Sequence, residues 1–160
     1  PDFICLSKGL TGGYLPMSVT LTSDKIYNAF YDDDIKKGFL HSHSYTGNPL
    51  ACSAALGTLS IFESDKVLKK NLILSKKINR LFSSLEDLPI SDLRNIGMIW
   101  AFELDSKISI DKVLAYSLNK GVLIRPIDNT IYFMPPYCIK ENEARQMIKV
   151  TREAILYAST

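Results

Sequence analysis

The sequence lacks any apolar run that approaches the roughly 20 residues needed to cross a bilayer. The sequence also lacks a large excess of charge of one sign, because its 19 basic residues nearly balance its 17 acidic ones. The clearest charged runs, Asp32-Asp33-Asp34 and Lys69-Lys70, are of opposite sign, so no basic footprint for nucleic acid stands out. These absences predict a cytoplasmic protein that binds neither membrane nor nucleic acid.

Cysteine and histidine are few. Cys5, Cys52 and Cys138 lie far apart in apolar surroundings, which predicts buried, reduced thiols rather than disulfides. His41 and His43 could project from one face of a strand, but the sequence has no HExxH or CxxC motif to complete a metal site. We therefore expect no bound metal.

Two common enzyme motifs are also missing. There is no G-x-S-x-G sequence, so a serine hydrolase of that type is disfavoured. A P-loop places its lysine after the glycines, whereas here Lys8 precedes Gly9, Gly12 and Gly13. ATP binding through such a loop is therefore not expected.

Hydrophobic periodicity and chain breakers divide the 160 residues into a first α/β segment and a following α+β lobe, with a boundary near residues 64–67. The chain begins at Pro1 with an apolar run directly behind it, so we expect a fragment of a longer protein. The aromatic residues of the last strands, Trp100, Tyr132, Phe133 and Tyr137, are expected in the core of the lobe. The predicted elements are strands at 3–6 and 17–22, a helix at 23–30, a loop at 31–45 with a short strand at 39–40, helices at 48–63 and 65–85, a strand at 98–104, a helix at 110–119, strands at 122–125 and 131–134, and a helix at 140–158.

Lys8 lies at the end of the apolar run Phe3 to Leu6, which reads as a buried strand. A lysine whose pKa is lowered by desolvation becomes a nucleophile, and its usual chemistry is imine formation with a carbonyl. The glycines that follow would let a ligand approach the backbone closely. The alternative is a lysine that extends from a strand end into water, and composition alone does not separate the two.

Three segments resemble one known family. They are "PDFICLSKGLTGGYLPMS" at 1–18, "HSHSYTGNPLACSAAL" at 41–56 and "GVLIRPIDNTIYFMPPYCI" at 121–139. In this order they resemble the cofactor-lysine segment, the phosphate loop and the carboxylate-binding segment of class III (fold type I) aminotransferases, which use pyridoxal 5'-phosphate. The resemblance implies an α/β fold, with residues 1–65 as the end of the large cofactor-binding domain and residues 66–160 as a small α+β domain.

The resemblance also implies a role for each matching residue. Lys8 would bind the cofactor covalently and move protons, and His43 and Ser44 would contact its phosphate. Ser42, at a position that relatives commonly fill with glycine, would lie beside the substrate, and Arg125 would bind the substrate carboxylate. A planar guanidinium can hold a carboxylate through two parallel hydrogen bonds.

The family acts on small molecules as a homodimer in which the phosphate loop reaches into the partner's site. Within the family the likeness is to the branch of biotin biosynthesis that takes its amino group from S-adenosylmethionine. A transaminase for another ω-amine or amino acid is the first alternative. Other parts of the family's site, including the aspartate that pairs with the pyridine nitrogen, have no counterpart in this chain. We therefore expect the chain alone to be nearly inactive, and a noncatalytic dimerisation fragment is the second alternative.

Overall fold

The computed structural model describes residues 1–160, which form two compact units, Pro1–Lys66 and Val67–Thr160. The predicted assignment of these units to the end of a large domain and to a small domain stays a prediction. No helix in either unit combines the length and the apolar character required to traverse a bilayer.

The first unit is built on a two-stranded antiparallel sheet and two α-helices. Strand β1 (Phe3–Leu6) pairs with β2 (Val19–Thr22) so that Phe3 lies opposite Thr22. Between the strands the chain makes one 3-10 turn, Lys8–Thr11. Helix α1 (Asp24–Phe30) and helix α2 (Pro49–Ser64) follow. The side chain of Asn48 caps α2 by accepting the N–H groups of Leu50 and Ala51, so the helix begins where Asn-Pro predicts.

The predicted burial of strand β1 is wrong. All four of its residues are exposed, and Phe3 keeps 57% of its surface. The reason is that β2 is the only strand beside it and is itself mostly exposed, while α2 packs on the 3-10 turn instead. The apolar run marks a strand correctly, but burial depends on what lies against that strand.

The cysteines give a similar result. Cys5 and Cys138 are exposed and Cys52 is partly buried, so the predicted burial is wrong, although all three are free thiols as expected. Cys5 shares the exposure of β1, and Cys138 lies in the irregular segment before the last helix. The loop after α1 also differs from prediction, since Phe39 and Leu40 form no strand and a 3-10 turn occurs at Ile35–Lys37.

The second unit is a four-stranded antiparallel sheet with three helices. The sheet order is β3-β4-β6-β5. Its elements, in chain order, are α3 (Val67–Phe82), β3 (Ile90–Ile96), β4 (Ile99–Leu104), α4 (Ile110–Asn119), β5 (Arg125–Ile127), β6 (Thr130–Phe133) and α5 (Glu141–Ala158). Strand β3 was not predicted, because its polar sequence SDLRN does not alternate and carries a register shift between Ser91 and Arg94.

The core of the second unit lies between the helices and one face of the sheet. Alternate residues of β4 and β6 point into it, which follows from the two-residue repeat of a strand. Trp100 is fully buried, and the ring of Phe82 stacks on it with centroids 5.3 Å apart. Trp100 and Phe133 therefore occupy the predicted core, whereas Tyr132 lies on the opposite face and Tyr137 is 53% exposed.

An ion pair joins α5 to the segment before β3. Arg152 donates to both carboxylate oxygens of Asp87, at 2.6 and 2.5 Å, and to the carbonyl of Ser84 at 2.6 Å. The hydrogen bonds from Arg152 lower the pKa of Asp87 below its ordinary value, because they favour the charged carboxylate. This pair ties the last helix to the edge of the sheet.

Truncation of a buried aromatic side chain in this core should strongly lower the free energy of unfolding. Phe102 is fully buried, so Phe102→Ala should lower the free energy of unfolding of the second unit by about 3–5 kcal/mol. Urea unfolding followed by the fluorescence of Trp100, the only tryptophan, measures this. Leu123→Ala is the control, since Leu123 is 75% exposed and its loss should change little. Equal effects of the two changes would contradict the described core.

The lowered pKa of Asp87 determines how the stability of the fold should change with pH. A carboxyl group with a lowered folded-state pKa stabilises the fold above its unfolded value of about 3.9 and loses this contribution as the pH falls through the folded value. Asp87→Asn should therefore reduce stability at pH 7, with a difference from the unchanged chain that shrinks at acidic pH. Glu86→Gln, next in sequence and without an ion pair, should show no such pH-dependent difference. The same urea titrations test this, and a difference independent of pH would count against it.

Candidate functional site

Lys8 begins the 3-10 turn that follows β1. Its side chain is exposed and makes no ion pair or hydrogen bond. Its φ of 52° lies in the left-handed region, which is uncommon for residues other than glycine. Three other non-glycine residues, Lys66, Asp92 and Asp128, share this conformation, so it marks tight turns and is not by itself a sign of chemistry.

The turn that carries Lys8 is held in place by Thr11 and Gly12. Thr11 is buried, and its hydroxyl donates to the carbonyl of Leu15 at 2.5 Å. Gly12 has a φ of +64°, and a Cβ atom there would lie 3.2 Å from Oγ1 of Thr58 on α2. Only glycine fits this position without strain, and the close approach of α2 explains why.

The segment that follows residue 40 folds into a compact loop before α2. The N–H of His43 donates to Oγ1 of Thr46 at 3.1 Å, and the N–H of Thr46 returns a hydrogen bond to the carbonyl of His43 at 3.0 Å. Nδ1 of His43 accepts the N–H of Tyr45 at 3.1 Å, so a neutral ring carries its proton on Nε2. The hydroxyl and the backbone N–H of Ser44 have no partner within the chain.

This loop and the start of β2 enclose an open hollow of about 810 Å³. Its lining residues are Leu15, Pro16, Met17, Ser18, Thr20, His41, Ser42, His43, Tyr45, Thr46, Gly47, Asn48, Leu50 and Ala51. Of the residues predicted for the site, Ser42 and His43 line it, whereas Lys8 and Ser44 do not. The structure thus brings together two of the predicted residues within this unit and leaves Lys8 outside the hollow.

Helix α2 explains the separation. The loop ends at Asn48, where α2 begins, and the glycine turn lies against Thr58, ten residues further along the same helix. Ten helical residues advance by about 15 Å. The loop therefore leads into the first turn of α2, whereas the glycine turn contacts the same helix about 15 Å further along its axis.

Arg125 begins β5 in the second unit. It pairs with Tyr132 of β6 across the ladder and is exposed, and its guanidinium makes no ion pair or hydrogen bond. An unpaired guanidinium is available to an anionic ligand.

Thr46 is a residue of the loop that no motif singles out. Its side chain accepts the backbone N–H of His43 and so helps to hold a residue that lines the hollow. A threonine three residues after a histidine in a polar loop gives only a weak signal for such a turn.

The first unit also contains an ion pair between Lys37 and Asp32. The hydrogen bond from Lys37 lowers the pKa of Asp32, but neither residue lines the hollow. The structure contains no cluster of three or more His, Cys, Asp or Glu side chains arranged to hold a metal.

Comparison with known proteins gives one consistent family. The aminotransferase class-III family matches residues 1–155. The chain is 49% identical over 158 residues to the adenosylmethionine-8-amino-7-oxononanoate aminotransferase of Helicobacter pylori, covering 92% of this chain and 36% of the relative. It is 39% identical to the enzyme of that name from Methanocaldococcus jannaschii, covering 97% of this chain and 36% of the relative.

The fold agrees with these matches. The crystal structure of the Methanocaldococcus jannaschii enzyme superposes with a TM-score of 0.91 at 38% identity, covering 100% of this chain and 40% of that one. An aminotransferase from Bacillus anthracis superposes with a TM-score of 0.87 at 27% identity. The chain spans a little over a third of the length of the curated relatives named above.

The glycine turn yields a paired test. Gly12→Ala should destabilise the turn by about 1–2 kcal/mol, because it places a side chain in the left-handed region and against Thr58. Gly9→Ala should be close to neutral, since nothing lies within 4 Å of a Cβ atom there. Amide hydrogen exchange of residues 1–66 measures both. Equal exchange in the two variants would show that Gly12 is not held as described.

Proposed function

Because the chain belongs to the aminotransferase class-III family, we propose that it forms the carboxyl-terminal part of a pyridoxal 5'-phosphate-dependent aminotransferase. The match of residues 1–155 to the family is the observation that carries the proposal. Since the chain spans 36% of the length of its relatives, the activity belongs to a larger protein and the isolated chain has little or none. The enzyme would act in the cytoplasm.

The proposed reaction transfers an amino group to 8-amino-7-oxononanoate and yields 7,8-diaminononanoate, with S-adenosylmethionine as the amino donor. This is a step of biotin biosynthesis. The names of the relatives at 49% and 39% identity support this substrate. The solved aminotransferase from Bacillus anthracis is only 27% identical, which makes a class III enzyme with another ω-amine substrate the weaker candidate.

The donor set of the first unit fits a phosphorylated aldehyde. Lys8 offers an exposed amine that pairs with no acid. Ser44 offers a hydroxyl and an N–H without partners, and Nε2 of His43 is free to donate. An amine suits the aldehyde, and clustered hydrogen-bond donors in a loop suit the phosphate.

Each residue then has a chemical role. Pyridoxal 5'-phosphate, when bound, withdraws electrons from the carbon that carries the amino group. Nζ of Lys8 would hold the cofactor and would serve as the acid and base that moves the proton of the reacting carbon. Ser44 and His43 would hold the phosphate by donating hydrogen bonds, while Ser42 would lie beside the substrate. Arg125 orients the substrate by pairing with its carboxylate.

The proposed enzyme is a homodimer with shared sites. Lys8 does not line the hollow formed by the loop that carries His43, and the loop and the turn after Lys8 meet α2 at points about 15 Å apart along the helix axis. A loop that donates to phosphate but lies away from the lysine of its own chain is suited to serve the lysine of a second copy. The separation therefore supports a dimer in which each site takes Lys8 from one subunit and His43 and Ser44 from the other.

Reductive labelling tests the role of Lys8. The complete protein is mixed with pyridoxal 5'-phosphate, reduced with borohydride and mapped by peptide mass spectrometry. We expect the label mainly on Lys8, and Lys8→Ala should lose both the selective label and the formation of 7,8-diaminononanoate. Lys25→Ala is the matched control, because Lys25 is also exposed and unpaired in this unit and should keep both.

Two results would contradict this proposal. A label spread over surface lysines, or one concentrated at a lysine other than Lys8, would refute its cofactor role. Selective labelling without 7,8-diaminononanoate, but with turnover of a different amino acceptor, would retain the family chemistry and replace the substrate.

A further inference from the structure

The face of the second sheet that is turned away from its helices carries two transverse rows of side chains. The strand register defines them, because residues directly opposite one another project to the same side. The first row is Arg94, Ala101, Tyr132 and Arg125, and the second is Ser91, Glu103, Thr130 and Ile127. Arg125 thus lies at the end of one row, and Glu103 and Thr130 are at the centre of the next.

A continuous chain of polar contacts crosses three of the four strands on this face. Nη2 of Arg94 on β3 donates to Oε1 of Glu103 on β4 at 2.8 Å. The hydroxyl of Thr130 on β6 donates to Oε2 of the same carboxylate at 2.7 Å. Hydrogen bonding by Thr130 first, and then by Arg94, lowers the pKa of Glu103 below its ordinary value. Both carboxylate oxygens are therefore engaged.

The position of Arg125 depends on β6. Strand β5 has three residues, lies at the edge of the sheet and pairs only with β6. Its middle residue is Pro126, which has no N–H to donate to the ladder. The turn between β5 and β6 is fixed to the end of β4 by the N–H of Leu104, which donates to the carbonyl of Asn129 at 2.9 Å. Whatever holds β6 therefore also holds Arg125.

No acidic side chain of this sheet pairs with Arg125, because Arg94 pairs with the acidic residues of its strands. The acidic residues of the four strands are Asp92 and Glu103, and Arg94 pairs with both, at 2.7 and 2.8 Å. A carboxylate left unpaired on this face would attract the guanidinium of Arg125 and compete with a bound anion. Arg94 and Thr130 keep the carboxylate of Glu103 occupied in the row next to that of Arg125.

We propose that Arg94, Glu103 and Thr130 are positioning residues that hold β6, and through it Arg125, ready for a substrate carboxylate. The proposal rests on the proposed function, in which Arg125 binds that carboxylate. None of the three touches the substrate. Their effect is to fix the strand that carries the guanidinium and to prevent Glu103 from acting as its partner.

The test measures carboxylate binding by the 160-residue chain. Hexanoate is the probe, with neutral hexanamide as its control, and the backbone amide signal of Tyr132, opposite Arg125, reports binding in NMR titrations. Thr130→Val removes the hydroxyl and keeps the shape, so the apparent Kd for hexanoate should rise about three- to tenfold. Glu103→Gln should weaken binding as well, and the double variant should be no weaker than the worse single one because the two act in one network.

Matched variants separate positioning from general damage. Thr130→Ser keeps the hydroxyl and should bind hexanoate like the unchanged chain. Ser91→Ala lies opposite Glu103 in the same row but makes no side-chain hydrogen bond, and it should also bind normally. A shift in Trp100 fluorescence would reveal that Thr130→Val disturbs the fold. In that case the positioning role is tested by whether Glu103→Gln binds hexanoate more weakly than Ser91→Ala.

The outcomes distinguish the positioning role of these three residues from the carboxylate-binding role of Arg125. Arg125→Met should lose hexanoate binding. Suppose that Arg125→Met loses hexanoate binding, while Thr130→Val and Glu103→Gln both bind hexanoate as tightly as Ser91→Ala. The positioning role is then refuted, and the carboxylate-binding role of Arg125 stands. If Arg125→Met binds hexanoate as well as the unchanged chain, or if hexanamide binds equally, both are refuted.

Discussion

The packing of α2 against the glycine turn is the contact on which the rest of the first unit depends. Gly12 must adopt a left-handed conformation without a side chain because Thr58 of α2 lies directly against it. The N-terminus of the same helix is fixed by the side chain of Asn48, which also ends the loop that carries His43 and Ser44. One helix therefore supports both the glycine turn after Lys8 and the loop at His43 and Ser44, at points about 15 Å apart along its axis.

The second unit has one buried and one exposed face of its sheet, and Arg125 lies on the short edge strand β5. Its stability comes from the aromatic layer around Trp100 and Phe82 on the covered face of the sheet. The opposite face carries Arg94, whose guanidinium pairs with Glu103 and also with Asp92. Arg125 is left as an exposed cation on a strand that only β6 supports. The buried aromatic layer and the exposed guanidinium of Arg125 thus lie on opposite faces of one sheet.

Periodicity predicted most of this fold, and its failures have physical causes. Helices α3, α4 and α5 carry clear three- to four-residue repeats, and the Asn48-Pro49 cap marked the start of α2. Strand β3 escaped prediction because a register shift interrupts its alternation. The exposure of β1 and Cys5 could not be foreseen, since burial depends on neighbours that a strand's own sequence does not specify. The segments of the candidate site followed from resemblance, but the separation of Lys8 from the hollow required coordinates, as did the role of Thr46.

The central claim is that Lys8 and the loop at His43 and Ser44 serve two different sites of a dimer, and subunit complementation tests it most directly. Lys8→Ala and Ser44→Asp, each inactive alone, are co-expressed as the complete protein, and the formation of 7,8-diaminononanoate is measured. If sites are shared, mixed dimers contain one intact site, and random pairing restores about a quarter of full activity. If every site is built from one subunit, each carries a defect, and the mixture stays as inactive as its parents, which would contradict the claim.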